Sequence, residues 1–213
     1  TGATGFIGIH LVKELLSRGH RVRALVRKNS LHSGRLRALD VEIVEGDLSD
    51  EEKVNEAVRG VETTYHLGAA MTNGWEEQQQ ATVNGTRHVV DAALEHGVAR
   101  LLHVSTLAVY ELLDLGPGTL VSEESPYQEN PRRMGAYAYS KIEAERLVMG
   151  AVRDRGLNAT IVRLGMVLGP LGPVFYPHLG YRLGGDVFLP IGKGNNILPL
   201  VYVDNAVDGM LRA

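Results

Sequence analysis

The sequence contains no cysteine, no run of one charge and no long apolar stretch. Without cysteine, neither a disulfide framework nor a thiolate metal site can form, and nothing marks an oxidising compartment. The formal net charge is -3 with both signs interspersed, unlike a surface that binds nucleic acid or an anionic membrane. No apolar run approaches the ~20 residues of a membrane-spanning helix. We therefore expect a cytoplasmic protein whose partners include neither nucleic acid nor membrane.

Strands and helices are predicted to alternate along most of the 213 residues. Apolar, β-branched runs indicate buried parallel strands, and apolar residues at helical spacing indicate the helices between them. Gly97 and Gly156 follow helical patterns and are predicted to end them. This alternation predicts an α/β fold with a doubly wound parallel sheet. The predicted strands cover 21–26, 41–47, 61–70, 98–106 and 158–165.

The alternation fails after residue 167. Residues 168–213 are rich in glycine and proline until a final helical pattern, which predicts loops and short strands at one edge. We therefore expect a dinucleotide-binding domain over 1–167 and, over 168–213, a partial substrate-binding region mixed with the end of that domain. The histidines are scattered without metal-ligand spacing, so no metal site is predicted.

The chain opens with TGATGFIG, which places Gly2, Gly5 and Gly8 at the start of a helical pattern. Glycines allow positive φ and close approach of the backbone, and a helix N-terminus offers free N–H groups, so the turn suits a pyrophosphate. An ordinary glycine-rich turn is the alternative. Such a turn needs a preceding strand, which the sequence does not contain. We therefore expect a fragment that lacks the first, central strand and folds poorly alone.

Because the first strand of the fold is predicted to be absent, the predicted strands 21–26 and 41–47 correspond to its second and third strands. Charged residues follow both of them. Arg27 and Lys28 stand where an adenosine ribose would lie, and an arginine there accommodates the 2′-phosphate of NADP. A solvated basic loop is the alternative. Asp47 and Leu48 follow the next strand, near the expected adenine edge. These positions predict NADP as the preferred cofactor and NAD as the second choice.

Tyr137 and Lys141 are four residues apart in GAYAYSK, and therefore lie on one helical face. An ammonium group beside a phenol favours the phenolate, which would suit the tyrosine to acid–base chemistry. A surface pair is the alternative. Ser105 and Thr106 end a buried strand and offer hydroxyl groups at the same edge of the sheet, unless they only cap it.

Together, TGATGFIG, GDL, HLGAA, STLAVY, YAYSK and VRLGMVLGP resemble, in order, the motifs of the extended short-chain dehydrogenase/reductase family, also called the NAD-dependent epimerase/dehydratase family. The resemblance covers essentially the whole chain. It implies that Tyr137 is the catalytic acid/base, that Lys141 is its partner on the nicotinamide ribose, and that Thr106 with Ser105 orients the substrate oxygen. The implied cofactor contacts are Gly2, Thr4, Gly5, Phe6, Ile7, Gly8, Arg27, Asp47, Leu48, His66, Leu67, Gly68, Ala69, Lys141 and Arg163.

Two positions depart from that family's pattern. Thr82 stands where the family usually has asparagine, and Leu198 stands where the nucleotide-sugar branch carries a diphosphate-binding arginine. The chain therefore resembles more closely the sterol-dehydrogenase and dihydroflavonol-reductase branches. Trp75 and Met71 are placed at the substrate mouth by position alone.

We expect hydride transfer between a nicotinamide cofactor and a carbonyl or hydroxyl group of a small organic substrate. Nucleotide-sugar epimerisation or dehydration is one alternative, and a non-catalytic NAD(P)-binding sensor or scaffold is another. A homodimer stays open.

Overall fold

A computed structural model describes residues 1–30, 32–70, 72, 74–111, 118–173, 180–182, 187–190 and 197–213. Its strands are β1 Val22–Val26, β2 Val41–Glu45, β3 Thr63–His66, β4 Arg100–Thr106, β5 Ala159–Leu164, β6 Met166–Leu168, β7 Gly180–Arg182, β8 Phe188–Pro190 and β9 Leu200–Tyr202. Its helices are α1 Phe6–Ser17, α2 Ser33–Arg37, α3 Glu51–Val58, α4 Trp75–Glu77, α5 Gly85–Glu95, α6 Ala136–Arg155 and α7 Val203–Arg212, and a π-helical segment, Gln78–Asn84, joins α4 to α5.

Consecutive residues of the central strand β4 face two different helical layers. Leu101 packs with residues of α3, α5 and α6, whereas Leu102 packs with residues of α1 and α7. Successive side chains of a strand point to opposite faces, so both faces of the sheet are covered. The predicted α/β fold, with helices on both sides of a parallel sheet, is confirmed.

The main sheet is divided into two parts. β1 pairs in parallel with β2, and β4 pairs in parallel with β3 and β5, but the two groups form separate sheets in the part of the chain described. A cavity of about 1070 Å³ lies between them, lined from one side by Val22 and Leu25 and from the other by Thr63 and Tyr65.

Helix ends follow the local sequence. The Asp50 carboxylate accepts a hydrogen bond from the Lys53 backbone N–H at 3.2 Å and caps α3. Gly156 takes the left-handed conformation with φ 71° at the end of α6, where the sequence predicted a stop.

After β5, short strands pair locally: β6 with β9 in parallel, and β7 with β8 antiparallel. β6 crosses the predicted boundary at residue 167, and α7 packs against α1, so the end of the chain returns to the main fold. The division into two regions stays a prediction. Among the described residues, no helix is both long and apolar enough to cross a membrane.

Candidate active site and cofactor-binding turn

The glycine turn is built for close backbone contact. Gly2 has a φ of 73°, and a Cβ atom there would lie 2.8 Å from the backbone N of Gly68. A Cβ atom on Gly8 would lie 2.1 Å from the carbonyl O of Gly2, so only glycine lets α1 begin this close to the turn. Gly5 precedes α1, whose N-terminus has no side-chain cap. The first N–H groups of α1 are therefore available, and the turn fits a pyrophosphate.

Three other predicted contacts lie in or beside the turn. Thr4 belongs to the turn, and Phe6 and Ile7 form the start of α1. The Phe6 ring lies beside Gly169 and Gly172, and a Cβ atom on Gly172 would lie 2.6 Å from it. The side chains of Phe6 and Ile7 belong to the α1–α7 core, so only their backbone is placed to face a phosphate.

The carboxyl end of β1 presents two exposed cations. Arg27 follows the last residue of β1, and Lys28 follows Arg27. Within the described residues, the Arg27 side chain has no hydrogen bond and no ion pair. An exposed guanidinium without a partner is available to a ligand, and its role at the cofactor stays a prediction.

The next predicted contacts meet at the ends of β2 and β3. Asp47 accepts hydrogen bonds from the backbone N–H and the hydroxyl of Ser49, at 3.0 and 2.8 Å. Leu48 lies over Gly68, where an added Cβ atom would approach the Leu48 Cδ1 to 2.6 Å. Leu48 and Gly68, with the adjacent Ala69, therefore lie together beside the glycine turn.

His66 has a structural environment. It is buried, its Nδ1 lies 2.7 Å from the Thr1 hydroxyl, and its Nε2 lies 3.0 Å from the Thr86 hydroxyl. Its ring lies 5.2 Å from that of buried His103. Burial lowers the pKa of both histidines well below the ordinary value, so both are neutral. The His66 side chain links Thr1 to Thr86. The predicted cofactor contact at this position is therefore left to the backbone of His66 and Leu67.

Tyr137, Lys141 and Thr106 meet where α6 begins and β4 ends. Lys141 is buried, and its ammonium group donates to the carbonyl O of Val104 at 2.8 Å. Tyr137 lies one helical turn before it, beside the Thr106 side chain, whose hydroxyl accepts from the Ala108 backbone N–H at 3.2 Å. The structure therefore brings a phenol, an ammonium group and a hydroxyl together at the carboxyl edge of the sheet.

The expected effect of Lys141 on Tyr137 is wrong for this structure. Burial raises the pKa of Tyr137 above its ordinary value, and the neighbouring Thr106 hydroxyl opposes this by less. The reason is geometric: the Lys141 ammonium points to the Val104 carbonyl. Burial also lowers the pKa of Lys141 to about 8, opposed by the Glu145 carboxylate. Tyr137 is therefore a protonated phenol at neutral pH.

Ser105 does not join Thr106. The two residues are neighbours on β4, whose side chains alternate between faces, and Ser105 is buried. The Ser105 hydroxyl has no hydrogen-bond partner among the described residues. Thr106, rather than Ser105, is placed beside Tyr137, and a role for Ser105 near the nicotinamide stays a prediction.

Arg163 lies in a polar network rather than at the glycine turn. Its guanidinium donates to the Glu145 carboxylate at 2.7 Å, to the Tyr110 hydroxyl at 2.7 Å and to the Tyr127 hydroxyl at 3.2 Å. The hydrogen bond with Glu145, which is fully buried, raises the pKa of Arg163. These contacts use all three guanidinium nitrogens, with Nε also on Glu145, so Arg163 is removed from the candidate cofactor contacts.

Of the two residues predicted at the substrate mouth, the structure describes one. Trp75 is 46% exposed, and its ring pairs with Tyr139 at 5.5 Å and with the Arg132 guanidinium at 5.5 Å. Tyr139 lies on another face of α6 than Tyr137. Trp75 is therefore not placed beside the phenol, and Met71 lies outside the described residues.

Sequence reasoning did not single out Gln78, which is buried at the start of the π-helical segment. It lies in a run of three glutamines that looks like a solvated helical face. Nothing in that run distinguishes the first glutamine from the other two.

Parallel strands with helices on both faces, and a glycine turn that opens α1, define a Rossmann-type α/β protein. The family model for the NAD dependent epimerase/dehydratase family matches residues 1–213, and the chain belongs to this family. The resemblance seen in the sequence is confirmed.

Several known proteins are similar to the chain. The 2-alkyl-3-oxoalkanoate reductase of Stenotrophomonas maltophilia (strain K279a) is 33% identical over 208 residues, which are 97% of this chain and 61% of the relative. The decarboxylating sterol-4-alpha-carboxylate 3-dehydrogenase of Bos taurus is 30% identical over 218 residues, 100% of this chain and 58% of that protein. This agrees with the expected likeness to sterol dehydrogenases.

A solved structure shows the same fold with its cofactor. The dTDP-glucose 4,6-dehydratase DesIV from Streptomyces venezuelae, as a double mutant with NAD bound, superposes with a TM-score of 0.78 and 26% identity. The match covers 98% of this chain and 69% of that one. The chain spans about three fifths of the length of the curated relatives described above.

Proposed function

We propose that the complete protein is a nicotinamide-dependent reductase that converts a carbonyl group of a small organic substrate into an alcohol. The observation that carries this proposal is the juxtaposition of the Tyr137 phenol and the Thr106 hydroxyl, one helical turn from buried Lys141. The cofactor supplies hydride to the carbonyl carbon. The chain must then hold the carbonyl oxygen and deliver one proton to it.

The three side chains divide this work. The Thr106 hydroxyl orients the substrate oxygen, and the Tyr137 hydroxyl, next to it, donates the proton. The Tyr137 pKa lies above its ordinary value, so the phenol is protonated at neutral pH, which is the state that donates to a carbonyl oxygen. Lys141 supplies a buried positive charge one turn away and holds the cofactor ribose.

The cofactor preference rests on the end of β1. Arg27 is exposed and has no side-chain partner among the described residues, and it follows the strand that leads to the adenosine ribose in this fold. We infer that NADP is preferred to NAD, although the family is named for NAD and DesIV binds NAD. The glycine turn serves the pyrophosphate of either cofactor.

The substrate class rests on the second half of the chain. Leu198 stands where the nucleotide-sugar branch carries an arginine, and it is 39% exposed just before β9. A leucine offers no charge to a diphosphate, which favours a substrate without one.

A cytoplasmic location stays a prediction. A homodimer stays open, and the exposed Met149 on α6 is one surface that it could cover.

A nicotinamide absorbance assay on the full-length protein tests the proposal. A panel of ketones is offered with each reduced cofactor, and a panel of alcohols with each oxidised cofactor. Net cofactor consumption with a ketone supports reduction. Conversion of a nucleotide sugar without net consumption would favour the epimerase or dehydratase alternative, and cofactor binding without any turnover would favour a sensor or scaffold.

A further inference from the structure

The side chain of Gln78 links two parts of the candidate active site. It is 1% exposed. Its amide nitrogen donates to the carbonyl oxygens of Ala70 and Thr72, at 3.1 and 2.7 Å. Its amide oxygen accepts from the hydroxyls of Thr82 and Ser140, at 2.8 and 2.7 Å. An amide has two donors and two acceptor sites, so every one is used.

The two ends of this link carry different functions. Ala70 directly follows Gly68 and Ala69, the segment predicted to pass beneath the cofactor. Ser140 lies on α6 between Tyr137 and Lys141, and its hydroxyl is also 2.8 Å from the carbonyl O of Tyr137. One buried side chain therefore joins the cofactor side of the site to the helix that carries the proton donor.

Two polar side chains of the π-helical segment take part in this link. Gln78 and Thr82, four residues apart, both face inward and bond to each other, and the Thr82 hydroxyl also accepts from the Ala70 N–H at 3.0 Å. π-Helical turns are rare and are frequent at functional sites. Thr82 is the position where the sequence departs from its family's usual asparagine, and the Gln78–Thr82 pair accounts for its polar contacts.

We propose that Gln78 is a positioning residue that sets the placement of Tyr137 and Lys141 relative to the cofactor segment. This role rests on the proposed function. Replacing Gln78 by Met keeps a similar volume and removes all four hydrogen bonds, which frees α6 to shift against Ala70 and Thr72. A displacement of about 1 Å in an active site lowers turnover by up to roughly 10²-fold.

The experiment compares kcat, KM and cofactor dissociation constants of the full-length protein and its variants. Gln78→Met is expected to lower kcat by about tenfold to hundredfold, with cofactor affinity changed by less than about threefold. The matched control is Gln80→Met, because exposed Gln80 bonds only to the Asn84 side chain among the described residues. This variant should keep kcat within about twofold.

Ser140→Ala covers the case in which Gln78→Met fails to fold, since it removes only the α6 end of the link. It should lower kcat in the same direction, and in the double variant the two losses should be less than additive, because both break one connection. Wild-type kcat in folded Gln78→Met and Ser140→Ala would overturn the positioning role alone. If the unmodified protein turns over no carbonyl or alcohol with either cofactor, the proposed function fails, and this role fails with it.

Discussion

Replacing Arg163 by Met tests whether Arg163 forms a structural ion pair or contacts the cofactor. In the structure the Arg163 guanidinium meets the Glu145 carboxylate through Nε at 3.1 Å and Nη2 at 2.7 Å. The Glu145 side chain is 0% exposed and that of Arg163 is 17% exposed. Without the guanidinium, a buried carboxylate would keep only the Tyr127 hydroxyl, at 2.8 Å, as a hydrogen-bond partner among the described residues.

The expected loss follows from this burial. Removing one partner of a buried pair costs about 3–5 kcal/mol, because the remaining charge is left without compensation. The control pair is Arg146 and Glu143, which lie on α6, the helix that carries Glu145. Their charged groups are 2.6 Å apart, but their side chains are 53% and 31% exposed. Arg146→Met should therefore cost less than about 1 kcal/mol. Removing both charges with Arg163→Met and Glu145→Leu should recover most of the larger loss.

Urea denaturation of the full-length protein measures these differences in the free energy of unfolding. Cofactor titration of the folded Arg163→Met protein, well below the denaturation midpoint, completes the test. We expect an unchanged dissociation constant for either cofactor. Equal destabilisation by Arg163→Met and Arg146→Met would refute the reasoning about the buried ion pair. A marked loss of cofactor affinity with Arg163→Met would return Arg163 to the cofactor contacts.

Three further predictions concern the glycine turn, the cofactor phosphate and acid stability. Arg27→Ala should weaken NADP tenfold to hundredfold, the equivalent of roughly 1.5–3 kcal/mol, and leave NAD unchanged in equilibrium titrations. Tighter or equal binding of NAD by the unmodified protein would instead assign Arg27 to adenine stacking. Gly8→Ala should weaken both cofactors and lower the free energy of unfolding by about 1–3 kcal/mol, because its Cβ would lie 2.1 Å from the Gly2 carbonyl O. Gly34→Ala, where nothing lies within 4 Å of the new atom, should do neither. The two buried histidines should make the free energy of unfolding fall with pH below about 6.5, by up to about 1.4 kcal/mol per pH unit each, since the unfolded chain binds protons that the folded chain does not. His103→Phe should roughly halve that slope in denaturation curves recorded from pH 7 to 5, and an unchanged slope would contradict the assignment.

The sequence predicted the features that depend on local pattern. The glycine turn, the alternation of strands and helices, and the stop of α6 at Gly156 each follow from the conformational freedom of glycine or from periodic burial. The place of Tyr137 and Lys141 on one face of a helix follows from their spacing. These features need no knowledge of which distant segments meet.

The parts that sequence missed depend on contacts between distant segments. From the sequence alone, Arg163 fits a cofactor contact as well as it fits half of an ion pair. The structure places Glu145, 18 positions before it, beside its guanidinium. The direction of the Lys141 ammonium depends on the Val104 carbonyl, 37 residues earlier. Gln78 differs from the two exposed glutamines after it because its side chain is buried, where it meets Ala70, Thr72 and Ser140.

The central claim is that Tyr137 donates the proton in a nicotinamide-dependent reduction. Its most direct test compares Tyr137→Phe with Tyr139→Phe in the full-length protein, by turnover and by cofactor titration. Tyr139 is the matched control because it lies two positions on, with its ring against Trp75. Tyr137→Phe should lower kcat by at least about 10²-fold to 10⁴-fold with cofactor affinity almost unchanged, and Tyr139→Phe should stay active. Equal losses in the two variants, or full activity in Tyr137→Phe, would contradict the account.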